Sequence, residues 1–405
     1  MSESGGFYKL HNKIRHYDWG SVDAIPSFLG LENREGLPWA EMWMGTHPGA
    51  PSLAEAAGGK ISLAELIAGN PEYFLGEKTA RQYGELPFLF KLLAAGKPLS
   101  IQAHPNISQA RAGFERENSA GLALDDPKRN YRDPNHKPEI ICALTPFTMM
   151  CGFREPAEIH GFLEAFSSLR GIIAPLIAAI GSGEKPLEKF FTALFNLPGA
   201  QIEEIGNRIC SGLLMSGDNT ISTEQRELML CFAEMYPRDP AILSPLYLNI
   251  LTLQPGEAVF TGSGTMHSYI SGFGVELMSN SDNVLRGGLT TKNVDIRELV
   301  NILDFVPFIP QIFKAPPAGK PLHYPAPCAE FYLSLLCGKM HSPEGPAVCI
   351  VNGGELEISG GATFKKGESF FIPAGGKGLD FSGDYTLYAA AAGDCLEGSG
   401  LQGSL

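Results

Sequence analysis

Several features of membrane-spanning and disulfide-linked proteins are missing from this 405-residue sequence. No run of about 18 consecutive apolar residues occurs, which excludes a candidate membrane-spanning helix. The N-terminal segment lacks the apolar stretch of a secretory signal, and the eight cysteines form no C-x-x-C pair. We therefore expect a cytoplasmic protein whose cysteines are free thiols.

Positive charge is also scarce. The chain has 31 Lys and Arg against 44 Asp and Glu, a net charge of -13 at pH 7. Nucleic acids and anionic membranes need a basic surface, so the composition argues against both as partners. A small anionic ligand is compatible with this balance, because it needs only a few local cations.

Three styles of sequence follow one another and predict a mainly β fold with an α insertion. Residues 7–153 contain short apolar runs separated by Gly and Pro, which is typical of strands and loops, with a short helix at 63–67 after Ser62. Residues 154–240 change to helical periodicity. Strands return in residues 241–405.

The helical stretch predicts roughly four helices. Apolar residues recur at three- and four-residue steps in 156–169 and 187–194, and residues 223–237 open with Thr223 as a candidate cap. Residues 171–181 are apolar but contain a proline, so they are either a buried helix or a broken apolar segment.

Two segments, 254–267 and 365–378, loosely repeat each other. Each has a Gly-Glu turn followed by an apolar strand and a second turn, a pattern typical of cupin-type barrels, although such turns also occur in other β proteins. The first copy ends in His267, and the second has no histidine at the corresponding place. On the cupin interpretation, one barrel has a metal site and the other has lost it.

Four polar side chains in three strand-like segments are candidate metal ligands. Gln102 and His104 are two residues apart, which on a strand puts both side chains on one face. Glu139 begins the strand-like run 139–144, and His267 follows a Gly-Ser-Gly turn. Two imidazoles, a carboxylate and an amide oxygen would suit zinc. The alternative is a set of ordinary loop or hydrogen-bonded core histidines.

A polar segment at 279–296 supplies a candidate anion site. Arg286 precedes a Gly-Gly pair, which we expect to let a small ligand approach the backbone. Its guanidinium could bind phosphate or sugar oxygens, and Lys91 and Lys137 could add local positive charge. The alternative is a solvated turn with a surface arginine.

The same segments resemble the type I mannose-6-phosphate isomerases, a family of the cupin superfamily, over essentially the whole chain. The matching strings are YDWGS (17–21), AEMWMGTHPGAPS (40–52), LPFLFKLLAAGKPLSIQAHPN (86–106), NYRDPNHKPEIICALTPF (130–147) and GVELMSNSDNVLRGGLTTK (274–292).

This resemblance implies a zinc-dependent enzyme that interconverts mannose 6-phosphate and fructose 6-phosphate, with one Zn2+ per chain, and we expect a monomer. It implies two cupin-type (jelly-roll) β-barrels plus an inserted helical domain. The predicted divisions are a metal-bearing domain (1–153 and 241–318), a helical domain (154–240) and a C-terminal barrel without metal (319–405).

The resemblance also assigns residues to roles. It implies that the zinc ligands are Gln102, His104, Glu139 and His267. The side chains implied to line the reaction centre are Arg286, Lys137, His136, Glu276 and Asp282. Those implied to help hold the sugar phosphate are Lys91, Trp19 and Arg286.

The chemistry expected on this basis passes through a cis-enediol. Lys137 or Glu276 would move the proton between C1 and C2, Arg286 would stabilise the negative charge, and His136 with Asp282 would assist ring opening. Three alternatives remain: an isomerase for another sugar phosphate, a cupin iron oxygenase, and a non-catalytic sugar-phosphate-binding module.

Overall fold

The computed structural model of this protein describes residues 6–211, 220–376 and 378–393. The first residues of the predicted domain 1–153 and the last residues of the predicted domain 319–405 lie outside these ranges. No described helix has the length and apolar character that a membrane crossing requires.

The strands are numbered in chain order. They are β1 (Tyr8–His11), β2 (Lys13–Arg15), β3 (Glu41–Met44), β4 (Leu53–Ala56), β5 (Gly59–Ser62), β6 (Phe88–Ala95), β7 (Gln102–Ala103), β8 (Glu139–Ala143), β9 (Phe147–Phe153), β10 (Leu248–Leu253), β11 (Ala258–Thr261), β12 (His267–Ser279), β13 (Leu285–Arg286), β14 (Ile312–Phe313), β15 (Leu322–Tyr324), β16 (Tyr332–Cys337), β17 (Met340–His341), β18 (Ala347–Ile358), β19 (Ala362–Lys365), β20 (Ser369–Ile372), β21 (Asp380–Ser382) and β22 (Tyr385–Ala391).

The α-helices, numbered in the same way, lie between these strands. They are α1 (Ala24–Leu29), α2 (Leu63–Gly69), α3 (Pro71–Leu75), α4 (Glu77–Tyr83), α5 (Ile107–Ser119), α6 (Pro156–Ala165), α7 (Arg170–Ile180), α8 (Pro186–Phe195), α9 (Gly199–Cys210), α10 (Thr223–Met235), α11 (Ser244–Tyr247) and α12 (Ile296–Ile302), with short 3-10 helices at Ser167–Leu169 and Pro240–Leu243.

Two eleven-stranded antiparallel sheets form the scaffold, which confirms the predicted mainly β fold with an α insertion. One sheet has the order β14-β11-β8-β12-β6-β3-β2, and β12 also pairs with β7 and β9. The other has the order β15-β16-β22-β18-β20-β1-β4-β5. Because β1 pairs with β20, the N-terminal segment belongs to the same sheet as the C-terminal strands. The predicted domain boundaries stay a prediction.

The pleat of β6 explains how one strand serves both a core and a cavity. Phe90 and Leu92 point into the core shared by the two sheets, whereas Leu93 belongs to a second apolar cluster on the opposite face. Lys91 points to the same face as Leu93, and every residue of β6 is buried. A strand buried on both faces reads as a continuous apolar run, so its interior lysine is the informative residue.

The two repeated segments have the same turn. Gly256 and Gly367 have φ values of 83° and 87°, in the left-handed region that favours glycine. The following glutamates act alike: the Glu257 carboxylate accepts from the Gln254 N–H at 2.9 Å, and the Glu368 carboxylate from the Lys365 N–H at 2.8 Å. The repeat detected in the sequence is therefore a repeat of local structure.

The helical stretch agrees with its periodicity, with one open alternative decided and two corrections. Residues 171–180 lie in a continuous helix, α7, which contains Pro175, and Gly181 is its C-cap. The described residues 156–235 contain one helix, α9, that the periodicity analysis did not identify. The cap of α10 is Ser222 rather than Thr223: the Ser222 hydroxyl accepts from the Gln225 N–H at 3.1 Å, and Gln225 Oε1 accepts from the Ser222 N–H at 2.9 Å.

This reciprocal cap gives a test of the fold. Ser222→Ala removes the acceptor at the start of α10 and is expected to lower the free energy of unfolding by about 1 kcal/mol. The measurement is the melting temperature of the variant beside that of the unaltered protein. An unchanged melting temperature would contradict the assigned cap.

Candidate metal centre and substrate cavity

Three buried side chains converge inside the first sheet. His104, Glu139 and His267 each offer one ligand atom, and these atoms all lie within 4.8 Å of one another. Glu139 Oε1 lies 3.4 Å from His104 Nε2, and Glu139 Oε2 lies 3.2 Å from His267 Nε2. Strand pairing brings them together, because β12 pairs with both β7 and β8.

The outer nitrogens of both imidazoles are fixed by backbone carbonyls. His104 Nδ1 lies 2.7 Å from the Asn283 carbonyl oxygen, and His267 Nδ1 lies 3.0 Å from that of Thr265. A carbonyl oxygen only accepts, so each Nδ1 carries the proton and each Nε2 presents a lone pair to the centre. Burial lowers the pKa of His104 to about 4, which keeps its ring neutral near pH 7.

Two atoms of this group lack a hydrogen-bond partner. His104 Nε2 and Glu139 Oε2 are both buried and unpaired. Buried polar atoms are normally satisfied, so the orphaned pair points to an absent partner between them. A divalent cation fits, because it would accept the lone pairs of both atoms at once.

Gln102 lies beside the three candidate ligands. Its Nε2 is 3.3 Å from His267 Nε2. Amide nitrogen and oxygen exchange places when the group rotates by half a turn, and Oε1 would then face the same imidazole. The structure therefore brings together all four side chains that the sequence analysis singled out as ligands.

Lys137 adds a positive charge to the centre. Its Nζ lies 2.9 Å from Glu139 Oε1. Burial by itself would raise the pKa of Glu139, but the pKa lies well below its usual range, and the charge of Lys137 is the largest cause that lowers it. Glu139 is therefore a carboxylate, the form that binds metal.

A second buried charged group lies on the neighbouring strands. Lys91 Nζ is 2.9 Å from Glu276 Oε2 and 3.4 Å from Glu41 Oε1. Burial opposes the charge on Lys91, yet the two carboxylates raise its pKa above the usual range. Burial also raises the pKa of Glu276, and the ion pair with Lys91 does not fully reverse this. Glu276 is therefore a stronger base than a solvated carboxylate.

Both groups face one cavity of about 650 Å3, within the size range of small-ligand sites. Most of the predicted site residues line it: Trp19, Lys91, Gln102, Lys137, Glu139, Glu276, Asp282 and Arg286. Glu139 and Gln102 therefore connect the candidate metal group to a space large enough for a small organic molecule.

Positive charge gathers at one part of this cavity. Arg286 and Lys292 line it. Burial lowers the pKa of Arg286, and nearby Arg132 lowers it further. Burial, Arg286 and Arg132 likewise lower the pKa of Lys292. Within the described ranges no carboxylate forms an ion pair with these three cations, so the cluster is suited to an anion.

Asp282 has a partner that the sequence analysis did not identify. Its Oδ1 lies 3.4 Å from Nε2 of His47, which is buried against Trp43. The His47 ring accepts from the Gly49 N–H through Nδ1 at 3.2 Å, so Nε2 carries the proton and faces Asp282. This contact is the main reason that the pKa of Asp282 lies below its usual value.

The prediction for His136 is corrected. Its Nε2 lies 2.8 Å from Glu330 Oε1, in the C-terminal part of the chain, and His136 does not line the cavity. Adjacent residues of an extended segment point in opposite directions, so Lys137 faces the cavity and His136 faces away. We assign His136 no contact with a ligand.

The interpretation of the Gly-Gly pair is also corrected. A Cβ at Gly287 would lie 2.6 Å from Met266 Cε, and one at Gly288 would lie 2.3 Å from Ala241 Cβ. The glycines therefore allow close approach of the protein itself, not of a ligand.

Several residues of this site were not predicted from the sequence. His47 and Asn283 lie inside the quoted strings but have no spacing that indicates metal or acid–base chemistry. The cluster of Arg132 and Lys292 with Arg286 was missed as well. Counting the cations in 274–292 would have found Lys292, whereas Arg132 joins through tertiary contact.

The buried His–Glu–His group and the antiparallel β scaffold define a cupin-type metal-binding protein. Comparison with known proteins is consistent with this class. Residues 7–156 match the family model for the catalytic domain of phosphomannose isomerase type I.

Relatives cover most of the chain. The mannose-6-phosphate isomerase of Escherichia coli (strain K12) is 39% identical over 376 residues, covering 90% of this chain and 94% of that protein. That of Salmonella typhimurium is 41% identical over 330 residues, covering 81% and 83%. This chain belongs to the type I phosphomannose isomerase family.

Solved structures agree. A mutant phosphomannose isomerase from Salmonella typhimurium superposes with a TM-score of 0.88 at 36% identity, covering 96% of this chain and 99% of that one. A zinc-bound mannose 6-phosphate isomerase gives a TM-score of 0.86 at 36% identity with the same coverage.

The support behind His104 generates a prediction. The Asn283 side chain accepts from the Arg132 N–H and donates to the Asp133 carbonyl. These two hydrogen bonds hold the backbone carbonyl of Asn283 against His104. Asn283→Ala is expected to weaken divalent-metal affinity by about 10–100-fold, measured by chelator competition. Asn280→Ala, which loses a bond to the Leu86 carbonyl, is the matched control. Equal affinities in both variants would contradict this role.

Proposed function

We propose that this protein is a zinc-dependent isomerase that interconverts D-mannose 6-phosphate and D-fructose 6-phosphate. The observation that carries the proposal is a single cavity lined by Glu139 of the His104–Glu139–His267 group, by Gln102, and by the cations Arg286 and Lys292. Metal ligands suit the reacting sugar oxygens, and the cations suit a phosphate. Membership of the type I phosphomannose isomerase family supports the choice of substrate.

Zinc fits the donor set of two imidazole nitrogens, one carboxylate and the amide oxygen of Gln102. When bound, it supplies Lewis-acid polarisation of the oxygens at C1 and C2 of the sugar. One ion per chain is proposed. Lys137 holds Glu139 ionised and lies at the cavity wall.

The other steps belong to the side chains of the cavity. Asp282, held by His47, assists ring opening by accepting the proton of the anomeric hydroxyl and returning it to the ring oxygen as the C1–O5 bond breaks. Glu276, whose pKa is raised, then takes the proton from C2 of the open-chain aldose and returns it to C1, while the proton of the C2 hydroxyl passes to the C1 oxygen. Arg286 provides a fixed positive charge beside the oxygen that becomes negative in the enediolate.

Glu276 is preferred to Lys137 as the proton carrier. Lys137 is occupied by its ion pair with Glu139, 2.9 Å away in the candidate metal group, whereas the raised pKa of Glu276 suits a base. Lys91 pairs with Glu276 and Glu41, so its proposed part is to hold Glu276 rather than to bind the phosphate directly.

The His–Glu–His group by itself is also compatible with an iron oxygenase, because two histidines and a carboxylate hold iron in that class. The cation cluster and the buried Lys91 pair have no use in oxygen chemistry and suit a sugar phosphate. Cytoplasmic location, a monomeric state and the three-domain division remain predictions.

The activity is tested by incubating the purified protein with mannose 6-phosphate and measuring fructose 6-phosphate. Conversion in both directions is expected. Turnover of another sugar phosphate only would keep the site but change the substrate. Affinity for mannose 6-phosphate without turnover would identify a binding module and contradict the proposal.

Two substitutions separate charge stabilisation and proton transfer from metal binding. Arg286→Ala and Glu276→Gln are each expected to lower kcat by about 100-fold or more with zinc content unchanged. Arg81→Ala, at an exposed pair with Glu77, is a control with normal kcat expected. Near-normal turnover in either active-site variant would remove that residue from the mechanism.

A further inference from the structure

A strained turn forms part of the cavity wall beside the cation cluster. Leu289 lies in the left-handed region with φ 51°, which is unfavourable for a branched side chain, and it is buried. Leu289, Thr290 and Lys292 all line the cavity. A strained conformation persists only where its surroundings hold it, so the contacts that fix this turn decide where Lys292 lies.

One end of the turn is held by the strand that carries a metal-site residue. The Gly287 N–H donates to the Ile101 carbonyl at 2.8 Å, and the Ile101 N–H donates to the Gly288 carbonyl at 3.0 Å. Arg286 pairs directly with Gln102 in this ladder. Arg286 is therefore fixed by strand pairing, whereas the residues that follow Gly288 are beyond the ladder.

The other end of the turn is held from the helical part of the chain. Asp239 follows α10, and its carboxylate bridges two segments: Oδ1 accepts from the Ala241 N–H at 2.9 Å and Oδ2 accepts from the Thr290 N–H at 3.4 Å. The contact is close, because a Cβ at Gly288 would lie 2.7 Å from Asp239 Oδ1. Thr290 in turn accepts from the Lys292 N–H through its hydroxyl at 3.1 Å.

We propose that Asp239 is a positioning residue that holds the Leu289–Thr290 turn and thereby places Lys292 at the anion-binding part of the cavity. This inference rests on the proposed function for the identity of the substrate, but not for the anion that the turn helps to bind. It gives the helical segment a part in substrate binding, without any contact between Asp239 and the metal group.

The position of Asp239 predicts which kinetic constant changes. The metal ligands, Glu276 and Arg286 are held by strands that Asp239 does not touch, so the chemical step keeps its machinery. Loss of the turn displaces Lys292 and weakens binding of the anionic group in ground state and transition state alike. A loss of this kind raises KM with kcat preserved.

The test uses Asp239→Ala, Asp239→Asn and Ser222→Ala in the full chain loaded with zinc. Asp239→Ala is expected to raise KM for mannose 6-phosphate about tenfold or more, with kcat within about threefold of normal. Asp239→Asn keeps one acceptor oxygen, so a smaller rise is expected. Ser222→Ala removes a cap in the same helical segment without touching the turn, so normal KM is expected.

A second measurement separates this inference from the proposed function. Binding of inorganic phosphate, measured by calorimetry, is expected to weaken in Asp239→Ala and to stay normal in Ser222→Ala. If the unaltered protein does not isomerise mannose 6-phosphate, the proposed function fails and this comparison still decides the role of Asp239.

Three results would overturn the role of Asp239. They are an unchanged KM and phosphate affinity in Asp239→Ala, equal losses in Asp239→Ala and Ser222→Ala, or no binding of inorganic phosphate to the unaltered protein. A fall in zinc content in Asp239→Ala would also contradict it, because it would indicate general disruption of the metal group.

Discussion

The rest of the site depends on how the buried negative charge of Glu139 is compensated. A charged group away from water is costly unless it is paired, and Glu139 meets part of this requirement with its ion pair to Lys137. The arrangement still leaves His104 Nε2 and Glu139 Oε2 without hydrogen-bond partners. A bound divalent cation would accept the lone pairs of both atoms, so it would also compensate the buried charge of Glu139.

The same requirement organises the neighbouring strands. Lys91 lies opposite Glu276 in the ladder between β6 and β12, and Glu276 and Glu41 raise its pKa against the effect of burial. Burial in turn makes Glu276 more basic. Among the described residues no carboxylate forms an ion pair with Arg286 or Lys292, and their partner is therefore expected to be the ligand. Paired charges hold the scaffold, and the unpaired ones are available for binding.

The sequence predicted those features that depend on local periodicity or on long matching strings. The mainly β fold, the helical insertion and the four ligand candidates are of this kind. Local sequence could not predict contacts made across the fold, such as His47 with Asp282, Asp239 with Thr290 or His136 with Glu330. The Gly-Gly pair was misread for the same reason, because the atoms that require the glycines, in Met266 and Ala241, come from distant segments.

We propose that zinc binding and sugar-phosphate isomerisation take place in one cavity. The most direct test is to measure zinc content and mannose 6-phosphate isomerase activity on one sample, before chelation, after it, and after zinc is returned. We expect about one zinc per chain when loaded, loss of activity with the metal, and recovery on its return. Full activity in protein free of metal would contradict it.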